Sequence, residues 1–409
     1  MTAASGTDRL LAAFVQELAR CGLRDACTSP GSRCAPLVLA LAGEPQLRCH
    51  SHVDERCAGF FALGLAKASY RPVALTCTSG TAVAELLPAV VEAREARVPL
   101  IVMSADRPPE LREVGAGQTI DQLAIFGGFA KWFFDVGVLD AAAQDERWLR
   151  TLACRAYWSA LEGAPGAVHL NFALREPLVS ADALPQPPLG GRPDGRPLVT
   201  RPPARRVASD DEGSLASAVA GRRRGVLVAG RHERDTPLGK AAAELCARAG
   251  WPLLADPLSR ARRGKAAIAH YDALLRNREL ASHLRPDVVL RVGDLPTSKP
   301  LRAWLASMPE VPQVAIDPEG AWQDPDATLC RVFALEPAAA LATLEPPSAE
   351  PGWLAQWRSA DERATAAIAQ TLTAGEEALS EPLVAAELGA LLPEDATLFV
   401  ASSMPVRDV

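Results

Sequence analysis

The chain has 409 residues, 48% of them hydrophobic and 22% charged, with a formal net charge of -6. That length suits two to three domains and that composition a globular protein, while the acidic balance and the lack of a long Lys/Arg run argue against a dedicated nucleic-acid binder. No apolar run approaches the ~20 residues that cross a bilayer, and Asp8 and Glu17 break any signal-peptide pattern.

From the N-terminus, Leu10, Leu11, Phe14, Val15 and Leu18 repeat at helical spacing and predict one buried helix face. A short strand, Asp25–Thr28, leads into Pro30-Gly31-Ser32-Arg33 and a helix begun near Pro36. Val73–Cys77 reads as a buried strand followed by a helix over Ala82–Ala96, and Val98–Ser104 as another strand. A helix from about Ala142 to Leu161 precedes the strand Ala167–Phe172. Strands alternating with helices predict a parallel sheet covered on both faces. This first domain is assigned to residues 1–183.

Residues 184–203, rich in Pro and Gly and without periodicity, read as a linker. A second α/β domain, 204–350, has strands at Gly225–Ala229, Val288–Val292 and Val314–Ile316 and a helix at Leu238–Ala249. Residues 351–409 begin with connecting helices. Ser380-Glu381-Pro382 marks a capped helix start. That helix ends near Pro393, and a strand over Thr397–Ala401 runs into Ser402-Ser403-Met404-Pro405-Val406-Arg407, as the opening of a third α/β domain. The nine cysteines show no zinc spacing and point to a reducing compartment. Cys21, Cys27, Cys34, Cys49, Cys57 and Cys77, crowded into the N-terminal part, read as small buried hydrophobes.

Three strand-to-helix turns carry candidate chemistry. Glu55 in His52-Val53-Asp54-Glu55-Arg56 stands in the first turn of a helix, where an acid often only complements the helix dipole. Facing the apolar surroundings of Gly59, Phe60 and Phe61, it would have a raised pKa and could hydrogen-bond a ring nitrogen of a cofactor. The turn Thr28–Arg33 offers backbone N–H groups to an anion and the Arg33 fork to a carboxylate. Thr78-Ser79-Gly80-Thr81 also follows a strand. In a parallel sheet all three fall on the carboxyl edge, where ligands bind. Gly115 and Gly117 imitate a dinucleotide fingerprint, but the third glycine and the preceding strand are missing, so Gln118 is read instead as a loop amide. Lys299 after Gly293-Asp294 resembles a phosphate-loop lysine only superficially.

Taken together, the strings TSPGSRCAPL, HVDERCAGFFALGLAK, TCTSGTA, SADRPPELREVGAGQTIDQ, VGDLPTSKPL and SSMPVRDV resemble the 2-succinyl-5-enolpyruvyl-6-hydroxy-3-cyclohexene-1-carboxylate synthases, thiamine-diphosphate enzymes of menaquinone synthesis. The strings run in family order from residue 28 to the last residue. The resemblance implies tandem parallel-sheet α/β domains: a pyrimidine-binding domain, a central Rossmann-like domain and the start of a diphosphate-binding domain. It implies a transferase that decarboxylates 2-oxoglutarate and joins the product to isochorismate, with thiamine diphosphate and Mg2+ or Mn2+ as cofactors. Glu55 takes the place of the glutamate that activates the cofactor's pyrimidine ring, with Pro30 and Thr78 also on the cofactor. Ser32, Arg33, Arg107, Gln118, Lys299, Ser403 and Arg407 take the places of substrate-binding residues.

The family's Gly-Asp-Gly motif, which holds the metal and diphosphate, does not occur in this sequence. The resemblance therefore implies a C-terminally incomplete chain whose metal ligands lie in the absent part, inactive alone. A cofactor site shared between subunits implies a homodimer or homotetramer in the cytoplasm. Two other readings stand beside this one: another thiamine-diphosphate 2-keto-acid decarboxylase or acetolactate-type synthase, and a non-catalytic truncated binding or dimerisation module. ADRPPEL and QTIDQ argue against the first of them.

Overall fold

The computed structural model describes residues 3–140, 146–179, 190–200, 214–374 and 379–408. The chain divides into two compact units, Met1–Pro203 and Ala204–Val409.

In the first unit the strands are β1 (Asp25–Thr28), β2 (Arg48–Ser51), β3 (Val73–Cys77), β4 (Leu100–Asp106), β5 (Trp132–Val138) and β6 (Ala167–Ala173). They form one sheet in the order β2-β1-β3-β4-β6-β5, and every pairing is parallel. The helices are α1 (Ala3–Cys21), α2 (Ala35–Gly43), α3 (Glu55–Ser69), α4 (Thr81–Ala84), α5 (Leu87–Glu95) and α6 (Glu146–Leu161). The two-residue period of the strands divides their side chains between two cores. Ala74, Ile101, Met103 and Leu170 point to the face packed by α1, α2 and α6. Val73, Leu75, Leu100 and Val102 point to the face packed by α3 and α5. Both faces are covered, which is why these strands read as continuous apolar runs.

Several boundaries differ from the sequence reading, for physical reasons. The single helix predicted over 82–96 is two, α4 and α5, because Pro88 in the first turn of α5 cannot donate a bond back to the preceding turn. The strand predicted from Val98 begins at Leu100, after Pro99. Residues 142–145 of the predicted α6 lie outside the described residues. So do residues 184–189 and 201–203 of the predicted linker. The described stretch 190–200 is fastened to this unit: Gly190 N–H donates to Glu146 at 3.3 Å and Trp158 donates to the Val199 carbonyl at 2.9 Å.

The second unit has β7 (Gly225–Ala229), β8 (Leu253–Ala255), β9 (Val288–Val292), β10 (Gln313–Ile316) and β11 (Leu329–Phe333), again all parallel, in the order β11-β10-β9-β7-β8. Its helices are α7 (Leu215–Val219), α8 (Leu238–Ala249), α9 (Tyr271–Arg276), α10 (Arg278–His283), α11 (Lys299–Ala306), α12 (Pro337–Thr343), α13 (Trp353–Ala374), α14 (Glu381–Leu391) and α15 (Pro405–Asp408). Leu227, Leu253 and Leu290 share a core with α8 and α12, while Val226, Val228 and Val289 share the other with Trp304, Trp353 and Trp357.

Between β7 and β9 the chain closes on itself. Gly230 N–H donates to the Val292 carbonyl at 2.8 Å and Asp294 N–H to the Arg231 carbonyl at 3.0 Å. A Cβ on Gly230 would stand 1.6 Å from the Asp294 carbonyl oxygen, so only glycine fits.

Ser380 caps α14 as predicted, accepting from Leu383 N–H at 3.4 Å. The strand predicted over Thr397–Ala401 does not form. A strand exists only by pairing, and no described strand pairs with this stretch; Phe399 is 97% exposed. The cysteine reading is also corrected in part. Cys21, Cys27, Cys34 and Cys77 are buried, but Cys49 and Cys57 are exposed.

Candidate active site

The sheet of the first unit reverses its winding between β1 and β3, since the chain passes from β1 outward to β2 and then back to β3. The loops after these two strands flank the crevice where doubly wound sheets bind ligands. They meet at Gly31 and Thr78. Gly31 has φ +150°, and a Cβ there would stand 2.4 Å from the Thr78 Cβ. Pro30, Gly31 and Ser32 are exposed on one lip of this crevice, and Thr78 is buried on the other.

Glu55 is the first residue of α3, but it is not the cap. Asp54 caps the helix, accepting from Arg56 N–H at 2.8 Å and Cys57 N–H at 3.4 Å. Bonding to the Arg56 side chain, with these N–H groups, holds Asp54 down to about 2. With capping taken by Asp54, the half-buried Glu55 carboxylate has no hydrogen-bond or ion-pair partner among the described residues. Its charge helps to push up the thiols of Cys34, just after the β1 turn, and Cys77, at the end of β3, although burial is the larger cause in both. Glu55 therefore lies beside the β1/β3 crevice.

Arg33 and Arg107 approach the same edge. Arg33 is 7% exposed; it donates to the Leu174 carbonyl at 2.8 Å and to Glu176 at 3.1 Å, while its Nε has no partner among the described residues. Burial and the neighbouring Arg33 charge lower the pKa of Arg107. Arg107 donates to the Ser79 hydroxyl, which in turn donates to the Gln118 carbonyl at 3.2 Å. The Gln118 side chain returns a bond to the Ser79 carbonyl at 3.1 Å. Glu55, Pro30, Ser32, Arg33, Thr78, Arg107 and Gln118 thus gather on the carboxyl edge of one sheet.

The remaining candidates belong to the second unit. Lys299 is exposed in the first turn of α11, which Ser298 caps by accepting from Leu301 N–H at 3.2 Å. Ser403, with φ +76°, and Arg407 lie exposed at and just before α15. Among the described residues no group of three or more His, Cys, Asp or Glu side chains could hold a metal ion. No helix among them is long and apolar enough to cross a membrane.

Behind the site lies a buried polar network that the sequence reading passed over. Ser104 meets His169 Nε2 at 2.7 Å and donates to Asn171 Oδ1 at 3.0 Å. Asn171 donates to Asp106 at 2.9 Å and Asp135 at 3.1 Å. Burial pushes His169 down to about 3, so it is neutral, with Phe126 and Phe133 at ring distances of 4.8 and 5.1 Å. The available signal was the pair of polar residues, His169 and Asn171, inside an otherwise apolar strand.

Residues 8–125 match the N-terminal TPP binding domain of thiamine pyrophosphate enzymes, and residues 211–400 match a middle domain of thiamine pyrophosphate enzymes. The chain is 44% identical to a 2-succinyl-5-enolpyruvyl-6-hydroxy-3-cyclohexene-1-carboxylate synthase of Chloroflexus aurantiacus, an alignment covering 97% of this chain and 68% of that protein. It is 42% identical to the synthase of that name from Geobacillus thermodenitrificans, with the same coverage. The Listeria monocytogenes synthase is 40% identical, over 98% of this chain and 70% of its own length. The chain belongs to the family of 2-succinyl-5-enolpyruvyl-6-hydroxy-3-cyclohexene-1-carboxylate synthases, among the thiamine pyrophosphate enzymes.

Proposed function

We propose that this chain carries the pyrimidine-side machinery of a transferase that decarboxylates 2-oxoglutarate and adds the resulting succinyl unit to isochorismate in menaquinone biosynthesis. The observation that supports this most is the Glu55 carboxylate, half-buried beside the β1/β3 crevice and without a partner among the described residues. Such a group suits a ring nitrogen, to which it can hold or pass a proton. Bound thiamine diphosphate supplies the electron sink for loss of CO2. Pro30 and Thr78, on the two lips of the crevice, are proposed as its further contacts.

The proposed substrates are carboxylates, and the cations at this edge suit them. Arg33 offers a planar fork to a carboxylate, and the 73%-exposed Glu176 already occupies part of it. Substrate displaces Glu176 in this reading. Arg107 adds charge, and Ser32 and Gln118 add hydrogen-bonding groups. Lys299, Ser403 and Arg407 are proposed as substrate contacts on the resemblance alone. A divalent cation, Mg2+ or Mn2+, belongs to the proposed cofactor set, but the described residues offer it no site, so no step is assigned to it.

A homodimer or homotetramer is proposed, supported by Val53, Phe60 and Phe61, which lie exposed on and before α3. Nine free cysteines support a cytoplasmic location. The test is turnover of 2-oxoglutarate by the gene product carrying this chain. Turnover that requires both isochorismate and thiamine diphosphate supports the proposal. Pyruvate turnover without isochorismate replaces it with an acetolactate-type activity.

A further inference from the structure

We propose that Cys21 and Cys154 form a redox modification site, which a hydroperoxide closes to a disulfide clamping α1 to α6. Cys21 is the last residue of α1 and Cys154 lies within α6, 133 positions away. Their sulfurs are 3.7 Å apart, with the Cys21 thiol donating to Cys154. A disulfide needs ~2.05 Å, so the sulfurs close by about 1.7 Å. The two helices already pack together over one face of the sheet.

The surroundings favour the chemistry. The hydrogen bond from Cys21 holds the Cys154 thiol below its ordinary value, although burial and the Glu17 charge oppose it. The same bond, with burial, pushes Cys21 up, so Cys154 is the first of the two to lose its proton. Glu17, fully buried and paired with Arg150 at 2.8 Å, lies 3.7 Å from the Cys154 sulfur as a fixed acceptor. Cys21 is 9% exposed at the end of its helix and Cys154 is 1% exposed, so the oxidant chosen to probe the pair is hydrogen peroxide, the smallest of its class.

The thiolate attacks one peroxide oxygen, the O–O bond breaks, and a sulfenic acid and hydroxide form. The second sulfur attacks the sulfenic sulfur, the S–S bond forms and the S–O bond breaks. The two hydroxides take up the two thiol protons. Two thiols lose two electrons and the peroxide becomes two waters. Elsewhere the thiols are less well placed. Burial pushes Cys27 up to about 12 and Cys34 to about 11, and Cys49, Cys57 and Cys330 are exposed with no sulfur in hydrogen-bond contact among the described residues.

The experiment treats the purified chain with hydrogen peroxide, alkylates the remaining thiols in denaturant, digests, and maps cross-linked peptides with and without reductant. The expected result is a reductant-sensitive link between the Cys21 and Cys154 peptides, formed before any other pair. A Tm that rises with oxidation and falls back with reduction should accompany it, since the link closes a long loop of the unfolded chain. A Cys27–Cys49 or Cys34–Cys77 link in its place overturns the proposal. So does alkylation of both Cys21 and Cys154 while the exposed cysteines oxidise. Cys21→Ser, which keeps a donor to the Cys154 sulfur but cannot close the disulfide, is scored for a sulfenic acid trapped at Cys154; no trapped acid there overturns the assignment of Cys154 as nucleophile.

Discussion

Gln122 holds Gly80: its Oε1 accepts the Gly80 N–H at 2.8 Å, while its Nε2 donates to the Ala105 carbonyl at 3.0 Å and to Asn171 Oδ1 at 3.1 Å. One buried amide thereby ties the loop after β3 to the ends of β4 and β6. Gln122→Leu leaves three buried groups without this partner and is expected to cost about 1–3 kcal/mol of stability. Denaturant unfolding measures it, and an unchanged midpoint would show that the loop does not depend on this amide.

Glu55→Gln should leave the unfolding curve unaltered, because Asp54 rather than Glu55 caps α3. In the gene product that carries this chain it should slow hydrogen exchange at the reactive carbon of thiamine diphosphate by orders of magnitude. Exchange at the wild-type rate would refute the proposed role.

Gly31→Ala places a methyl group 2.4 Å from the Thr78 Cβ at a φ of +150°. Overpacking of this kind costs about 1–3 kcal/mol, and the backbone strain adds to it. Thermal unfolding should show the loss, and Thr78→Gly in the same chain should recover part of it. No recovery would assign the loss to the backbone rather than to the contact.

Arg33→Ala should raise KM for the carboxylate substrates and also lower stability, because it removes bonds to Leu174 and Glu176. Glu176→Gln weakens the competing carboxylate and should lower KM instead. If both variants leave KM unmoved, Arg33 serves only the fold.

His169 gives a pH dependence with a definite sign. Burial moves its folded-state pKa from 6.5 down to about 3. Between those values the unfolded chain binds the proton and the folded one does not, so this contribution is complete above pH 6.5 and is lost as pH falls toward 3. The loss is on the order of 5 kcal/mol across the window. Unfolding free energies of wild type and His169→Gln should converge or cross as pH falls through this window; parallel curves would show that the ring titrates normally.

The central strands were legible because burial on both faces makes them continuous apolar runs. Asp25–Thr28, Val73–Cys77, Gly225–Ala229 and Val288–Val292 stand as read. Of the edge strands, β2 was legible only as a strand giving way to the Glu55 helix, without bounds, and β5 and β11 escaped notice. β2 carries Arg48 and His50, β11 carries Arg331, and Asp135 and Gly137 interrupt β5 where its register shifts. The lips of the crevice were readable, since glycines and strand ends locate them along the chain. The occupants of hydrogen bonds were not. Nothing local to Arg33 announces Glu176, and nothing local to Gly80 announces Gln122, because those pairings cross distances in sequence that only the folded sheet closes.

Two sheets wound alike thus differ in what their central seam is made of. In the first unit the seam between β1 and β3 is set by the side chain of Thr78, whose size selection can alter. Between β7 and β9 it is set by the main chain of Gly230 and Asp294. Any side chain at position 230 must part the two strands, since there is no neighbouring residue whose replacement makes room. The second seam is therefore fixed at position 230, and variation beside it falls to the flanking side chains, Arg231 and Asp294, which pair with each other there.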